Sequence, residues 1–432
     1  MSDRLSLRAR LLSLDKNVQG EVVLDYYEDG FVVCEEGLIV EVLSADDYFT
    51  KMPGGVSYED LRPYLLVPGF IDNHVHMPQQ DIIAGRSSEL LDWLDRHAFP
   101  AELRYADYDF ARIKAATFVD QLLSAGTTCA QVFSTVHGHA CESLFFAASA
   151  KKMCLVAGKV MMDRNAPVDL LQNAADCRDD TERLIAKWHG RGRLRYALTP
   201  RFAVTSSEEQ LSYCSDLLSS HPDLYVQTHI SENLQEIDTV RALFPQQRDY
   251  LEVYEHAGLA TTKSTFAHGI HLSKDEQQRL FLAGSKIAFC PSSNLFLGSG
   301  LLDIESIPDA NFSVGSDVGG GTGLSMLHTC AEGFKVAHLA GYDWHPFEAL
   351  WSITKGNADA LGLGNSIGQL RPGFFADMVL LDLDQPRALG NRLEHCENLP
   401  DELFALMFLG DDRSIARTYV AGEVVFDRAE VR

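Results

Sequence analysis

The feature that most narrows the fold is a repeated alternation of short apolar strands with helix-patterned stretches between residues 70 and 318. Eight strand candidates follow one another: FIDNHVH (70–76), TTCAQVF (127–133), CLVAGKVMMD (154–163), RYALTPRF (195–202), LYVQTHISE (224–232), STFAHG (264–269), KIAFCP (286–291) and FSVGSDV (312–318). Between them, EEQLSYCSDLLSSH (208–221) and SKDEQQRLFLAG (273–284) carry apolar residues at helical spacing with Ser or Glu near the start, and a further helix is expected over 325–340. Strands joined by helix-length crossovers pair in parallel. Eight such units predict an α/β chain folded as a (β/α)8 barrel of the TIM type. The first crossover, which holds LLDWLDRHAFPAE (90–102), is about 50 residues long, and connections of that length in compact domains tend to be functional.

The flanks read differently. LRARLLSL and GEVVLDYYEDGFVVCEEGLIVEVL at one end, and GFFADMVLLDLD and ARTYVAGEVVFDR at the other, are short strands with turns. Residues 1–66 and 370–432 are therefore expected to pair into one small composite β-domain, a β-sandwich beside a barrel of residues 67–369. Two independent β-pieces are the alternative. Ala421 and Gly422 make a hairpin turn, with Gly422 free to take a positive φ.

A net charge of −24 argues against nucleic acid and anionic membranes as partners. The opening MSDRLSLRARLLSLDK has no sustained apolar run, so no secretory signal is expected, and no window is long and apolar enough to span a membrane. Nine cysteines are scattered singly with no CxxC pair, which reads as reduced thiols in a cytoplasmic protein. The missing pair also removes the zinc deaminases that use P-C-x-x-C.

In a barrel of this kind the chemistry sits at the C-terminal ends of the strands. Strand one ends in His74 and His76, which share a face because residues two apart in a strand do. Strand four ends in Arg201 and Phe202, strand five in His229 and then Glu232, strand six in His268, strand eight in Asp317. A single histidine at a strand end is more often an ordinary satisfied polar residue. Ligand-type residues at the same end of several strands point to a metal site. His74, His76, His229 and Asp317 supply the three or four N/O ligands of a catalytic Zn²⁺, with Fe²⁺ or Co²⁺ as alternatives. Such an ion lowers the pKa of a bound water towards about 7. Glu232, three residues past His229, is placed to move a proton; the alternative is a carboxylate at a helix N-terminus. His268 is placed to hold the water or to stabilise an oxyanion. Lys159, inside strand three, reads as structural.

Taken together, PGFIDNHVH, THISE, FAHG and GSDVG resemble the amidohydrolase superfamily. Its binuclear branch uses a carboxylated lysine at the end of strand four, where this chain has TPRF, so one metal ion per chain is implied. Within the superfamily the chain is similar to the guanine deaminases, through HVHMPQ, LLDWLDRHAFPAE, GKVMMDRNAP, TPRF, THISEN, AHGIHL, FCPSSNLFLGSG, GSDVGGGT and LGDDRSIARTYVAG. The resemblance implies His74, His76, His229 and Asp317 as metal ligands and Glu232 as proton shuttle. It also implies Gln79, Arg201 and Phe202 as purine contacts, guanine and water as reactants, and a homodimer. The implied reaction is deamination to xanthine and ammonia by a metal-activated hydroxide, with Asp317 as base and His268 holding the hydroxide; His76, His229, Glu232 and Asp317 then also touch the substrate. The residue chemistry agrees: Gln79 donates and accepts, Arg201 offers a rigid donor fork, and Phe202 and Trp93 can stack on a planar ring. Core packing is the alternative for Trp93. Residues 290–294 and the glycine-rich loop after Asp317 receive no role, beyond close backbone approach for the latter. Another aminated heterocycle as substrate, or a non-catalytic scaffold, are the rival readings.

Overall fold

The structure is a computed structural model that describes residues 4–52, 57–87 and 89–430. At the N-terminus lie β1 (Arg4–Lys16), β2 (Val22–Glu35), β3 (Leu38–Ser44) and β4 (Glu59–Pro68). β4 passes through Gly69 straight into β5 (Phe70–His76), the first barrel strand. The barrel continues through β6 (Thr127–Phe133), β7 (Cys154–Gly158), β8 (Val160–Met161), β9 (Leu194–Pro200), β10 (Tyr225–Ile230), β11 (Ser264–His268), β12 (Lys286–Phe289) and β13 (Phe312–Val314). The chain then returns as β14 (Met378–Leu381), β15 (Ile415–Val420) and β16 (Glu423–Asp427).

All barrel pairings are parallel, in the order β13-β12-β11-β10-β9-β7-β6-β5. The expected helices are present and capped as their sequences suggest. Ser207 caps Glu208–Ser220, Ser325 caps Met326–Leu339, and Ser273 with Glu276 closes a reciprocal capping box on Lys274–Leu282.

Five strand expectations need correction, two of them only in that the runs 195–202 and 286–291 stop at Pro200 and Phe289. The run 154–163 breaks at Lys159, whose amide donates to the Tyr196 hydroxyl at 3.3 Å instead of to the ladder. The run 224–232 stops at Ile230, because Ser231 turns into the left-handed region at φ 48°. The run 312–318 stops at Val314.

The two ends of the chain pair, so they are not independent pieces. β14 runs antiparallel to β4, Met378 opposite Pro68 and Leu381 opposite Leu65. The expected sandwich is hydrogen-bonded as one seven-stranded sheet, β16-β15-β14-β4-β1-β2-β3. Register shifts at Ala9/Leu11 and Val33/Cys34 bend it, and Leu7, Leu11, Val32, Leu66, Met378 and Tyr419 pack into one cluster of its own. The β15–β16 hairpin turns on Ala421 (φ 48°) and Gly422 (φ 74°), both left-handed as a two-residue type I′ loop requires. No described helix is long and apolar enough to cross a membrane.

Among the described residues, β13 and β5 share no strand ladder; side chains, with two backbone hydrogen bonds just beyond the end of β13, close the barrel between them. Asn357 is fully buried and works as a short piece of strand. Its amide nitrogen donates to Ile71 O (2.7 Å) and Val314 O (2.8 Å), and its oxygen accepts from Val314 N–H (2.8 Å). One turn higher, Asp72 accepts from the Ser316 amide (2.9 Å) and hydroxyl (2.5 Å) and from the His74 amide (3.2 Å). The Asp317 amide donates to His74 O at 2.8 Å, and the His76 amide to Val318 O at 3.0 Å. Gly315 lies so close to β5 that a Cβ there would come 2.6 Å from His74 Cβ.

Asn357→Leu keeps the number and branching of the side-chain heavy atoms but strands one buried amide and two carbonyls. At about 1–3 kcal/mol for each buried group left unpaired, a loss on the order of 3 kcal/mol is expected in the unfolding free energy, read from urea denaturation as a lowered midpoint.

Candidate active site

The residues expected at the strand ends converge at the C-terminal mouth of the barrel. His74 Nε2 and His76 Nε2 are 3.3 Å apart, and His229 Nε2 is 3.2 Å from His76 Nε2. Asp317 Oδ1 lies 3.2 Å from His74 Nε2 and 3.3 Å from His76 Nε2. Four ligand atoms this close make sense around a cation: metal–nitrogen bonds of about 2.0–2.1 Å in a tetrahedron leave ligand–ligand edges of about 3.3 Å. Asp317 reaches this position through a left-handed backbone, φ 50°, a conformation that costs energy in a non-glycine residue.

The protonation of the cluster suits a cation. Burial pushes the His76 imidazole down to about 3 and holds His229 well below the usual histidine range, so both keep a free lone pair near neutrality. His229 Nδ1 sits 2.6 Å from Arg201 O, which fixes that ring nitrogen as the donor and leaves Nε2 for the ion. Burial raises the Asp317 carboxyl, but hydrogen bonding and charge from His74, with help from His76, carry it well below the carboxylate range. The donor set therefore fits a divalent metal.

Glu232 stands beside this cluster in the opposite state. Burial first, then the Asp317 charge, push its carboxyl up to about 8, against a hydrogen bond from Ser299 Oγ at 2.9 Å. His268 lies between the two carboxylates, its Nε2 3.3 Å from Glu232 Oε2 and 3.7 Å from Asp317 Oδ2. Asn294 Oδ1, 2.8 Å from His268 Nδ1, takes the proton on that side. Ser299 and Asn294 went unassigned in the sequence. The only signal for them is their place in FCPSSNLFLGSG, a stretch that resembles the family without a recognisable chemistry of its own.

A cavity opens above the cluster. His76, Gln79, Arg201, Phe202, His229, Glu232, His268 and Asp317 line it from the barrel, Leu90, Trp93 and Leu94 from the long crossover, and Leu297 and Gly320 from the later loops. Gln79 Oε1 accepts the Gly319 amide at 2.9 Å, so its NH₂ is left for the cavity. Arg201 donates through Nη1 to Glu102, and this ion pair is wholly buried. Phe202 meets His229 edge-on at 6.4 Å, and Trp93 is both a cavity wall and a core residue, 2 % exposed. Lys159 lies outside the site, bonded to Gln172 and Cys177.

The glycine-rich loop has a steric explanation. A Cβ at Gly319 would come 2.6 Å from Gln79 O, and one at Gly320 would come 2.7 Å from Ser293 Oγ. Only bare backbone fits between the loop that carries Gln79 and the helix that carries Asn294.

The raised Glu232 carboxyl has a consequence for stability. The folded protein holds this proton up to about pH 8, whereas an unfolded glutamate loses it near 4.3. Its contribution is complete below the unfolded value and is lost as pH rises through the folded one. In metal-free protein, Glu232→Gln removes that dependence. The melting temperature of the variant relative to wild type should therefore be higher at pH 8.5 than at pH 5, as read by calorimetry; an unchanged difference contradicts the assignment.

Comparison with known proteins agrees with this geometry. Residues 65–425 match the amidohydrolase family. The chain is 43% identical over 407 residues to guanine deaminase of Escherichia coli (strain K12), covering 94% of this chain and 93% of that protein. A solved structure of E. coli guanine deaminase superposes with a TM-score of 0.93 at 40% identity, over 98% of this chain and 99% of that one. The structure of guanine deaminase from C. acetobutylicum with guanine bound in its active site gives 0.87 at 28% identity, over 98% of this chain and all of that one. With the family matched across most of its length and a curated relative this similar along nearly all of it, the chain belongs to the amidohydrolase family, on its guanine deaminase branch.

Proposed function

We infer that this chain hydrolyses guanine to xanthine and ammonia. The observation that carries the reading is one cavity in which a donor fork (Arg201), an amide (Gln79) and a neutral carboxylic acid (Glu232) face a cluster of metal-ligand type. The guanine held by the C. acetobutylicum relative supports the same substrate.

His74, His76, His229 and Asp317 would hold one metal ion per chain. Three imidazoles and one carboxylate without a thiolate favour zinc, with iron(II) as the alternative. Such an ion, when bound, acidifies a coordinated water. The remaining work falls to side chains. Arg201 donates to the purine O6 and Gln79 reads the same edge, while Phe202 and Trp93 pack on the ring faces. Asp317 Oδ2 accepts a proton from the water that attacks C2, and His268 Nε2, oriented by Asn294, keeps that water in line. Glu232 enters the reaction protonated, as its raised pKa favours near neutrality, and delivers its proton to N3 so that charge does not build on the ring. Asp317 passes the proton it accepted to the amino group, and Glu232, now a carboxylate, takes the proton of the C2 hydroxyl and so regains its acid form. Ammonia leaves, and C2 regains its planar geometry as the carbonyl of xanthine.

The reading extends to a homodimer in the cytoplasm. The nine cysteines, all free and eight of them buried, support a reducing compartment.

An ammonia-release screen over guanine, adenine and cytosine, with metal content measured in parallel, tests the reading. Guanine should be turned over. Adenine presents a donor to the Arg201 fork and carries only hydrogen at C2, so it has no amino group to lose at the attacked carbon and should release no ammonia. His229→Ala should lose metal and activity together. Glu232→Gln should keep its metal and lose about 10²–10⁴-fold in kcat. Adenine or cytosine as the better substrate would overturn the assignment.

A further inference from the structure

The long crossover brings one more charged group against the site. Glu102 sits near the end of the short helix Phe99–Leu103 and is 0 % exposed; its partner Arg201 is 2 % exposed. Arg201 Nη1 donates to Glu102 Oε1, and the guanidinium carbon lies 5.6 Å from the centre of the Phe99 ring. Arg201 lines the cavity and Glu102 does not. Any action of Glu102 on a ligand there therefore passes through the arginine.

A buried ion pair contributes little to stability unless its remaining oxygens and protons are also bonded. This one is not completed in that way. Glu102 Oε2 has no hydrogen-bond partner among the described residues. What the pair does supply is direction. A guanidinium is a rigid planar fork of five N–H donors. With Nη1 held by Glu102 and the group seated against Phe99, the plane is oriented, and the other N–H groups are left for the cavity.

We propose that Glu102 is a positioning residue that aims the Arg201 fork at the six-position oxygen of the purine, and so sets the preference for a carbonyl there. The proposal rests on the reading of Arg201 as the group that binds O6.

The test compares Glu102→Gln, Glu102→Asp and Arg201→Met with wild type. Each protein is loaded with its metal, and metal content and melting temperature establish that it is folded. Two quantities are read: kcat/KM for guanine, and the inhibition constant of 2-aminopurine, which keeps the ring and the amino group but lacks the oxygen at position six. A catalytic group displaced by about 1 Å can cost about 10²-fold, so Glu102→Gln should lose on the order of 10²-fold for guanine. The 2-aminopurine constant should stay within about threefold of wild type, because that ligand makes no contact for Arg201 to lose. Glu102→Asp keeps the charge and should recover part of the guanine loss. If the Gln variant does not fold, the Asp variant carries the test, through the same selective loss on guanine. Binding of 2-aminopurine weakened in step with guanine turnover would overturn the proposal in favour of a general structural role, and so would guanine turnover at the wild-type level. Arg201→Met separates the two layers. If it spares guanine turnover, the reading of Arg201 itself fails. If it abolishes guanine turnover while Glu102→Gln does not, only the positioning role fails.

Discussion

The seam between β5 and the segment after β13 is the constraint on which the site depends. A parallel barrel must close, and here no ladder closes it: Asn357, Asp72 and the Asp317 and His76 amides do so. The same seam carries His74 and His76 on one side and Asp317 on the other. The fold's last closing contacts and the convergence of ligand atoms are thus one piece of geometry. That explains the price in backbone conformation: Asp317 takes a left-handed φ, and Gly315 is held against His74 where no side chain would fit.

Two carboxyl groups face the same imidazole nitrogen and are driven in opposite directions. Asp317 is drawn low by the histidines it meets; Glu232, with a single hydroxyl donor in Ser299, is driven high by burial. Groups of one chemical type whose surroundings push them apart in this way have what the proposed acid and base roles require. The assignment needs no difference in residue type, only a difference in neighbours.

Much of this arrangement was legible in the sequence, because it repeats a local rule. Each metal-ligand candidate stands at or just past the end of an apolar run, and strand ends are legible from residue pattern alone. Helix caps such as Ser207 and Ser273 were legible for the same reason. What escaped was non-local. Glu102 meets an arginine 99 positions away, and within FPAE it looks like any helix-surface acid. Asn357 fills the gap at Ile71 from 286 positions away. Lys159 breaks its strand because of a tyrosine hydroxyl on a neighbouring strand, and nothing in CLVAGKVMMD announces that hydroxyl. The continuity of the small sheet likewise depends on which edges meet after the barrel has formed.

The pairing of β4 with β14 also imposes an order in time. β4 leads directly into the strand that bears His74 and His76, yet its antiparallel neighbour is made only after the whole barrel has been synthesised. Pairing across so long a stretch of chain is entropically slow to find. During synthesis, one edge of β4 therefore stays without its partner until β14 has been made. A chain truncated before β14 carries these histidines on a strand whose leading segment lacks that neighbour.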